Sequence, residues 1–243
     1  MTAAAESTAT RRDEIAAGLA AVRERIERAA ADAGRDAREI DLVVVTKFFP
    51  ASDVRILAEL GVTDVGENRH QEAQEKQAEL ADLGLRWHFL GGIQSNKAAA
   101  IAAYADVVQS LDRVKVLRRL GAAAVEAGRE VEVLVQVSLD PPDADDAEGR
   151  SGVDPAQVAE LAAAAASTQG VRLGGVMGVG PRGADPAPAF ARLADIAAAV
   201  RSEHAGATTV SAGMSGDLEV AVRAGATQLR VGSAILGERP SPQ

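Results

Sequence analysis

From residue 40 to the C-terminal end the chain alternates between short runs rich in Val, Ile and Leu and longer amphipathic stretches. Strand-like segments fall at roughly 40–47, 63–68, 86–91, 106–111, 130–139, 173–180, 208–214 and 228–233. Helical periodicity fills the gaps at about 52–61, 69–82, 95–104, 112–127, 154–168, 187–203 and 216–225. Strands joined by helices run parallel, and a parallel sheet must be covered on both faces. Eight such units in 243 residues predict closure into a (β/α)8 TIM barrel. An open doubly wound sheet is the structural alternative.

An additional N-terminal helix is expected from Thr10, where Thr10 and Asp13 have capping-box spacing and Ile15, Leu19, Val22 and Ile26 form a stripe. Residues 1–9 read as a flexible tail, and with no Gly-, Ser- or Pro-rich linker, 10–240 read as a single domain. Ser52, Ser95, Asp154 and Ser215 are expected helix caps, and Gly61, Gly84, Gly128, Gly170 and Gly225 expected helix stops.

Composition excludes several function classes. Aromatic residues make up 2% of the chain, too few for a base-stacking platform, and a net charge of −9 disfavours a nucleic-acid backbone as partner. Without cysteine there is no disulfide framework, thiolate nucleophile or cysteine metal site. No segment offers about 18 uninterrupted apolar residues and no basic, apolar leader opens the chain, so a cytoplasmic protein without a membrane partner is expected. The acidic loop over residues 140–152 lacks calcium-loop spacing and reads as solvated.

In a (β/α)8 barrel, chemistry gathers at the C-terminal ends of the strands. The first strand ends in Lys47, which shares a face with Val43 and Val45. It is either a snorkelling surface amine or a desolvated amine able to attack a carbonyl. The seventh strand runs into SAGMSGD (211–217) and the eighth into LRVGSAILG (229–237), glycine- and serine-bearing turns where many barrels hold phosphate. Arg230 shares a strand face with Gln228 and Gly232, so it requires an internal ion pair, for instance with Glu67, or donates to a ring nitrogen. An amine, a phosphate turn and an inward arginine together describe a site for pyridoxal 5'-phosphate (PLP).

Asn68 and Glu67 in GENRHQE either cap a helix or serve the site, Asn68 through a ligand oxygen and Glu67 by pairing with Arg or Lys. His88 reads as a packed core histidine rather than a base, since no acidic partner is identifiable in the sequence. Lys97, in the first turn of a helix where a cation is disfavoured, hints at an anion or carboxylate nearby. GVGPRG (178–183) matches a dinucleotide fingerprint, but Pro181, Pro186 and Pro188 interrupt the helix it would have to open.

Taken in order, VVVTKFFP, VGENRHQE, WHFLGGIQSNK and GMSGDLEVAVRAGATQLRVGSAILG resemble the pyridoxal phosphate homeostasis protein family, itself similar to the N-terminal barrel of alanine racemase. The resemblance spans about residues 12–238. It implies PLP held as a Schiff base on Lys47, with Asn68 touching the cofactor. Met214, Ser215, Gly232 and Ser233 would cradle the phosphate, and Arg230 would face the pyridine nitrogen. It also implies a role in vitamin B6 and amino-acid homeostasis, with PLP-dependent apo-enzymes as possible recipients. Ala212 and Ile93 depart from the family's usual pattern without removing an implied contact, whereas Arg150 in GRSG stands where lysine is common and puts any secondary PLP site in doubt. A two-base racemase needs a second acid–base group opposite Lys47, and Tyr104 is the chain's one tyrosine. A monomeric carrier without established catalysis is therefore expected, with a PLP-dependent racemase as the alternative.

Overall fold

A computed structural model describes residues 2–140 and 152–238. Eight parallel strands close into a barrel in chain order: β1 (Asp41–Val45), β2 (Asp64–Glu67), β3 (Arg86–Phe89), β4 (Val107–Leu111), β5 (Val131–Val137), β6 (Val171–Gly178), β7 (Thr209–Ser211) and β8 (Gln228–Val231). Closure comes where β8 pairs with β1, which sets Arg230 beside Val43. The α-helices are α1 (Thr2–Asp32), α2 (Ala51–Glu59), α3 (His70–Glu79), α4 (Ala98–Ala102), α5 (Val114–Glu126), α6 (Val158–Ser167), α7 (Ala187–Glu203), α8 (Leu218–Arg223) and α9 (Ser233–Leu236), with short 3-10 turns at Ala37–Glu39, Ala81–Leu83 and Pro155–Gln157. Among the described residues no helix is long and apolar enough to cross a membrane.

Several local expectations need correction. The backbone of α1 begins at Thr2, so the Thr10/Asp13 pair lies inside the helix rather than opening it; alanine-rich sequence favours extension. Ser52, Ser95 and Ser215 do not cap the following helices, whose N-cap residues are Pro50, Lys97 and Asp217. Asp154 does cap, accepting a hydrogen bond from the Ala156 N–H ahead of α6. All five expected stop glycines adopt φ between 61° and 95°, the left-handed region that a side chain disfavours.

The stripe Ile15, Leu19, Val22 and Ile26 is buried, and α1 packs along α2, α8 and α9. Gly18 sets that spacing. A Cβ there would stand 2.5 Å from the Ile235 carbonyl oxygen and 2.9 Å from its Cα, backbone atoms that cannot swing aside. Helix propensity alone predicts that Gly18→Ala stabilises by about 1 kcal/mol. The contact reverses the sign, and a loss of about 1–3 kcal/mol is expected in a denaturant melt. An unchanged or raised midpoint would mean α1 does not pack on α9 this closely.

The main core, between barrel and helices, is aliphatic. The barrel interior is different, because buried polar residues stand beside Val43, Val107, Leu134 and Met177: His88, Gln109, Ser211, Gln228 and Arg230. At the N-terminal face, Glu132 accepts from both Arg86 and Arg172, tying three strands together on the side of a barrel where such ties serve stability.

Candidate functional site

Lys47 sits two residues past the end of β1, in a turn rather than in the strand. The adjoining Phe48 has φ 73°, a left-handed conformation that a β-carbon resists by about 1–2 kcal/mol. The surroundings hold it there. The Phe48 N–H donates to Glu72 Oε1 at 2.6 Å, and the Arg69 guanidinium lies 4.9 Å from the Phe48 ring centroid.

Beneath the turn, the Lys76 ammonium is buried and donates to the Thr46 carbonyl (2.8 Å), Glu67 Oε1 (2.7 Å) and Glu72 Oε1 (2.7 Å). Those three acceptors use all of its protons. Thr46 Oγ1 donates to Glu67 Oε1 at 2.7 Å, while Glu67 Oε2 has no partner among the described residues. Burial pushes the Glu67 carboxyl above its ordinary value, and the charge and hydrogen bond of Lys76, with the Thr46 bond, only partly offset it. Glu67 therefore supports the Lys47 turn, and the ion pair it makes is with Lys76, not Arg230.

Arg230 is 5% exposed and has neutral hydrogen-bond acceptors: Nη1 donates to Ser211 Oγ (2.6 Å) and Nη2 to the Gly178 carbonyl (2.9 Å). Burial pulls its guanidinium down to about 10, against the opposing charge of Asp217, so it remains a cation at neutral pH. From Ser211 the bonding continues across the barrel. Ser211 Oγ donates to Gln109 Oε1 (2.7 Å), and Gln109 Nε2 donates to Gln228 Oε1 (2.6 Å) and His88 Nδ1 (2.9 Å).

With Nδ1 accepting, His88 must carry its proton on Nε2, which donates to Asp64 Oδ1 at 2.8 Å. The acidic partner that the sequence did not reveal is thus the first residue of β2. Every donor along the path points away from Arg230. Ser211→Ala removes its first link, and the guanidinium's misplacement should weaken ligand retention about tenfold, a typical value for a charge-assisted bond. Unchanged retention and an unchanged ligand absorbance would show that Ser211 does not position Arg230.

The two glycine-containing turns meet. Ser233 Oγ donates to Ser215 Oγ at 3.2 Å, and the Ala234 N–H reaches Ser215 Oγ at 3.4 Å. Gly232 has no room for a side chain, since a Cβ would lie 2.8 Å from the Val45 carbonyl oxygen. Met214 N–H is held by Asp217 Oδ1 at 2.5 Å. Arg25 of α1 clamps the same turn, donating to the Ser215 carbonyl at 3.0 Å and to Glu219 at 2.7 Å.

A cavity of about 370 Å³ opens at the C-terminal mouth, and Lys47, Asn68, Met214 and Arg230 all line it. Ser215, Gly232 and Ser233 form the adjoining rim rather than the lining. The arrangement fits an anionic aromatic aldehyde: an amine on one wall, a buried guanidinium without a bonded carboxylate on another, and a serine pair at a glycine approach. Sequence reasoning missed Gln136, Met177, Gly180 and Arg182 on the wall. The last two belong to GVGPRG, which follows β6 and also supplies the Gly178 acceptor for Arg230; its place at a strand end was the available signal. Tyr104 is not in the lining and stacks on His70, ring centroids 5.7 Å apart. Arg150 lies outside the described residues, as does most of the acidic loop.

This barrel has a counterpart among known families. The model described as alanine racemase, N-terminal domain matches residues 18–240. Within that class the chain belongs to the family of pyridoxal phosphate homeostasis proteins. It is 43% identical to the protein of that name from Mycobacterium bovis, over 94% of each chain. Against the one from Escherichia coli K12 it is 35% identical, over 93% of this chain and 97% of the relative. Among solved structures it is similar to PipY of Synechococcus elongatus PCC7942 with PLP bound, at 34% identity and TM-score 0.78, covering 92% of this chain and all of that one.

Proposed function

We propose that this chain binds PLP, holds it as a reversible Schiff base on Lys47, and serves vitamin B6 and amino-acid homeostasis. The observation that carries the reading is the convergence of Lys47 and the buried Arg230 on one cavity. Bound PLP would supply an aldehyde for a primary amine and an electron-withdrawing ring. Lys47 would supply the primary amine for that aldehyde, a bond whose formation would release one water and whose reversal would take one up. Arg230 would face the ring nitrogen, where its charge would disfavour a proton on that nitrogen. Met214, Ser215, Gly232 and Ser233, steadied by Arg25, would receive the phosphate, and Asn68 would touch the cofactor.

Three further readings complete the proposal: a monomer, located in the cytoplasm, that passes PLP to PLP-dependent apo-enzymes. The cytoplasmic reading is supported by a sequence without cysteine, which suits a reducing compartment. A racemase reading requires a second acid–base group facing Lys47. The titratable side chains among the described lining residues are Lys47, Asp140, Arg182 and Arg230, with no tyrosine or histidine.

The test is an absorbance spectrum of the protein with PLP before and after borohydride, followed by mass mapping. A reduced PLP adduct on Lys47 is expected. An adduct spread over surface lysines would overturn the assignment, and racemisation of a free amino acid lost with Lys47 would replace the carrier with an enzyme.

A further inference from the structure

A second cavity, of about 440 Å³, lies beside the first and shares Asn68 and Gly92 with it. Its basic walls are Arg69 just ahead of α3, His70 at the start of α3 and Lys97 from the segment after β3, with Gln94 also in the lining. No carboxylate lines it, although the chain carries a net charge of −9. Neither Arg69 nor Lys97 forms an ion pair among the described residues, whereas Arg11, Arg12, Arg25, Arg55 and Arg86 all do. Two cations and a histidine around a cleft without a lining carboxylate invite an anion.

His70 reports that field directly. Its Nδ1 lies 3.4 Å from the Tyr104 hydroxyl, which leaves the Nε2 edge for another partner. Burial, and then the charge of Lys97, hold its proton affinity below the ordinary histidine value. The cleft lies on the β2–β3 side of the mouth, while the Ser215–Ser233 rim lies on the β7–β8 side, so one bound molecule's phosphate does not serve both.

We propose that the cleft bounded by Arg69, His70 and Lys97 is a separate phosphate-monoester site, where a phosphorylated aldehyde docks beside the mouth before Lys47 captures it. The anion site stands on the cleft alone; its use by PLP rests on the function proposed above. Docking there raises the local concentration of ligand next to Lys47, and so acts on the rate of loading more than on final occupancy.

The chain has three histidines, so His70 can be followed by NMR. Adding inorganic phosphate at constant ionic strength should raise the His70 pKa by about half a unit or more, as a nearby anion favours imidazolium, with His88 and His204 unmoved. The shift should vanish in Lys97→Gln and return in Lys97→Arg. Loading of Lys47 by PLP should slow at least threefold in Lys97→Gln, while loading by pyridoxal, which lacks the phosphate, keeps its rate. A His70 that ignores phosphate, or shifts equally in Lys97→Gln, overturns the site. Failure of PLP to label Lys47 in the unaltered protein, with the His70 shift intact, would instead overturn the carrier reading.

Discussion

Lys47→Ala should abolish the borohydride-trapped PLP adduct and weaken retention of PLP at least about 100-fold, equivalent to about 2.7 kcal/mol. Arg230, Asn68 and the serine rim remain in this variant, so a residual, rapidly exchanging complex should persist. The fold should survive, because Lys47 lies in a half-buried turn outside β1 while the turn is held by groups other than its own side chain: Glu72 on the Phe48 N–H and Lys76 on the Thr46 carbonyl. Equilibrium dialysis and circular dichroism on the same sample check both halves. A variant that folds and still yields the full reduced adduct would show that another amine captures the aldehyde.

The largest stability effect is expected at Lys76. Lys76→Ala strips the counter-charge from Glu67 and Glu72, and removing one partner of a buried ion pair typically costs about 3–5 kcal/mol. At about 2–4 °C per kcal/mol for a chain of this size, Tm should fall by roughly 6–20 °C. The deficit should also depend on pH. Burial already raises Glu67 above the unfolded carboxylate value of about 4.3, so the folded state binds the proton more tightly than the unfolded state. Stability from this group is therefore greatest below about 4.3 and is lost as pH rises through the raised folded value. Without Lys76 that loss deepens, so the gap from the unaltered protein should narrow on acidification. A gap equal at pH 5 and pH 8 would remove Glu67 as its cause. Adding Glu67→Gln to Lys76→Met should restore part of the stability, since it leaves no charge at either position.

The barrel was legible because alternation of strand and helix leaves few topologies, and the five stop glycines marked helix ends with a conformational demand. Lys47 stood out as a charge just past an apolar run, and Arg230 as a charge inside a strand. Their supports did not. Lys76 lies in HQEAQEKQAE, which reads as a solvated helix face, and its burial arises from Glu67 reaching it across β2. Its four-residue spacing from Glu72 was a signal, but one shared with many surface pairs. His88 looked partnerless because Asp64 lies 24 residues away, brought alongside by the pairing of β2 with β3. The cap assignments failed because the helices begin elsewhere: two residues ahead of Ser52, at Pro50, and two residues past Ser95, at Lys97.

The one-way order of donors from Arg230 to Asp64 constrains how this barrel can evolve. Gln109 supplies an acceptor to Ser211 and donors to His88 and Gln228, so exchanging it alone leaves several buried groups mismatched at once. Substitutions at Ser211, Gln109, Gln228 and His88 are thus epistatic: each is tolerated chiefly in the company of the others. Relatives that differ here should differ at several of these positions together, and a drift of one residue at a time is the path the interior closes off.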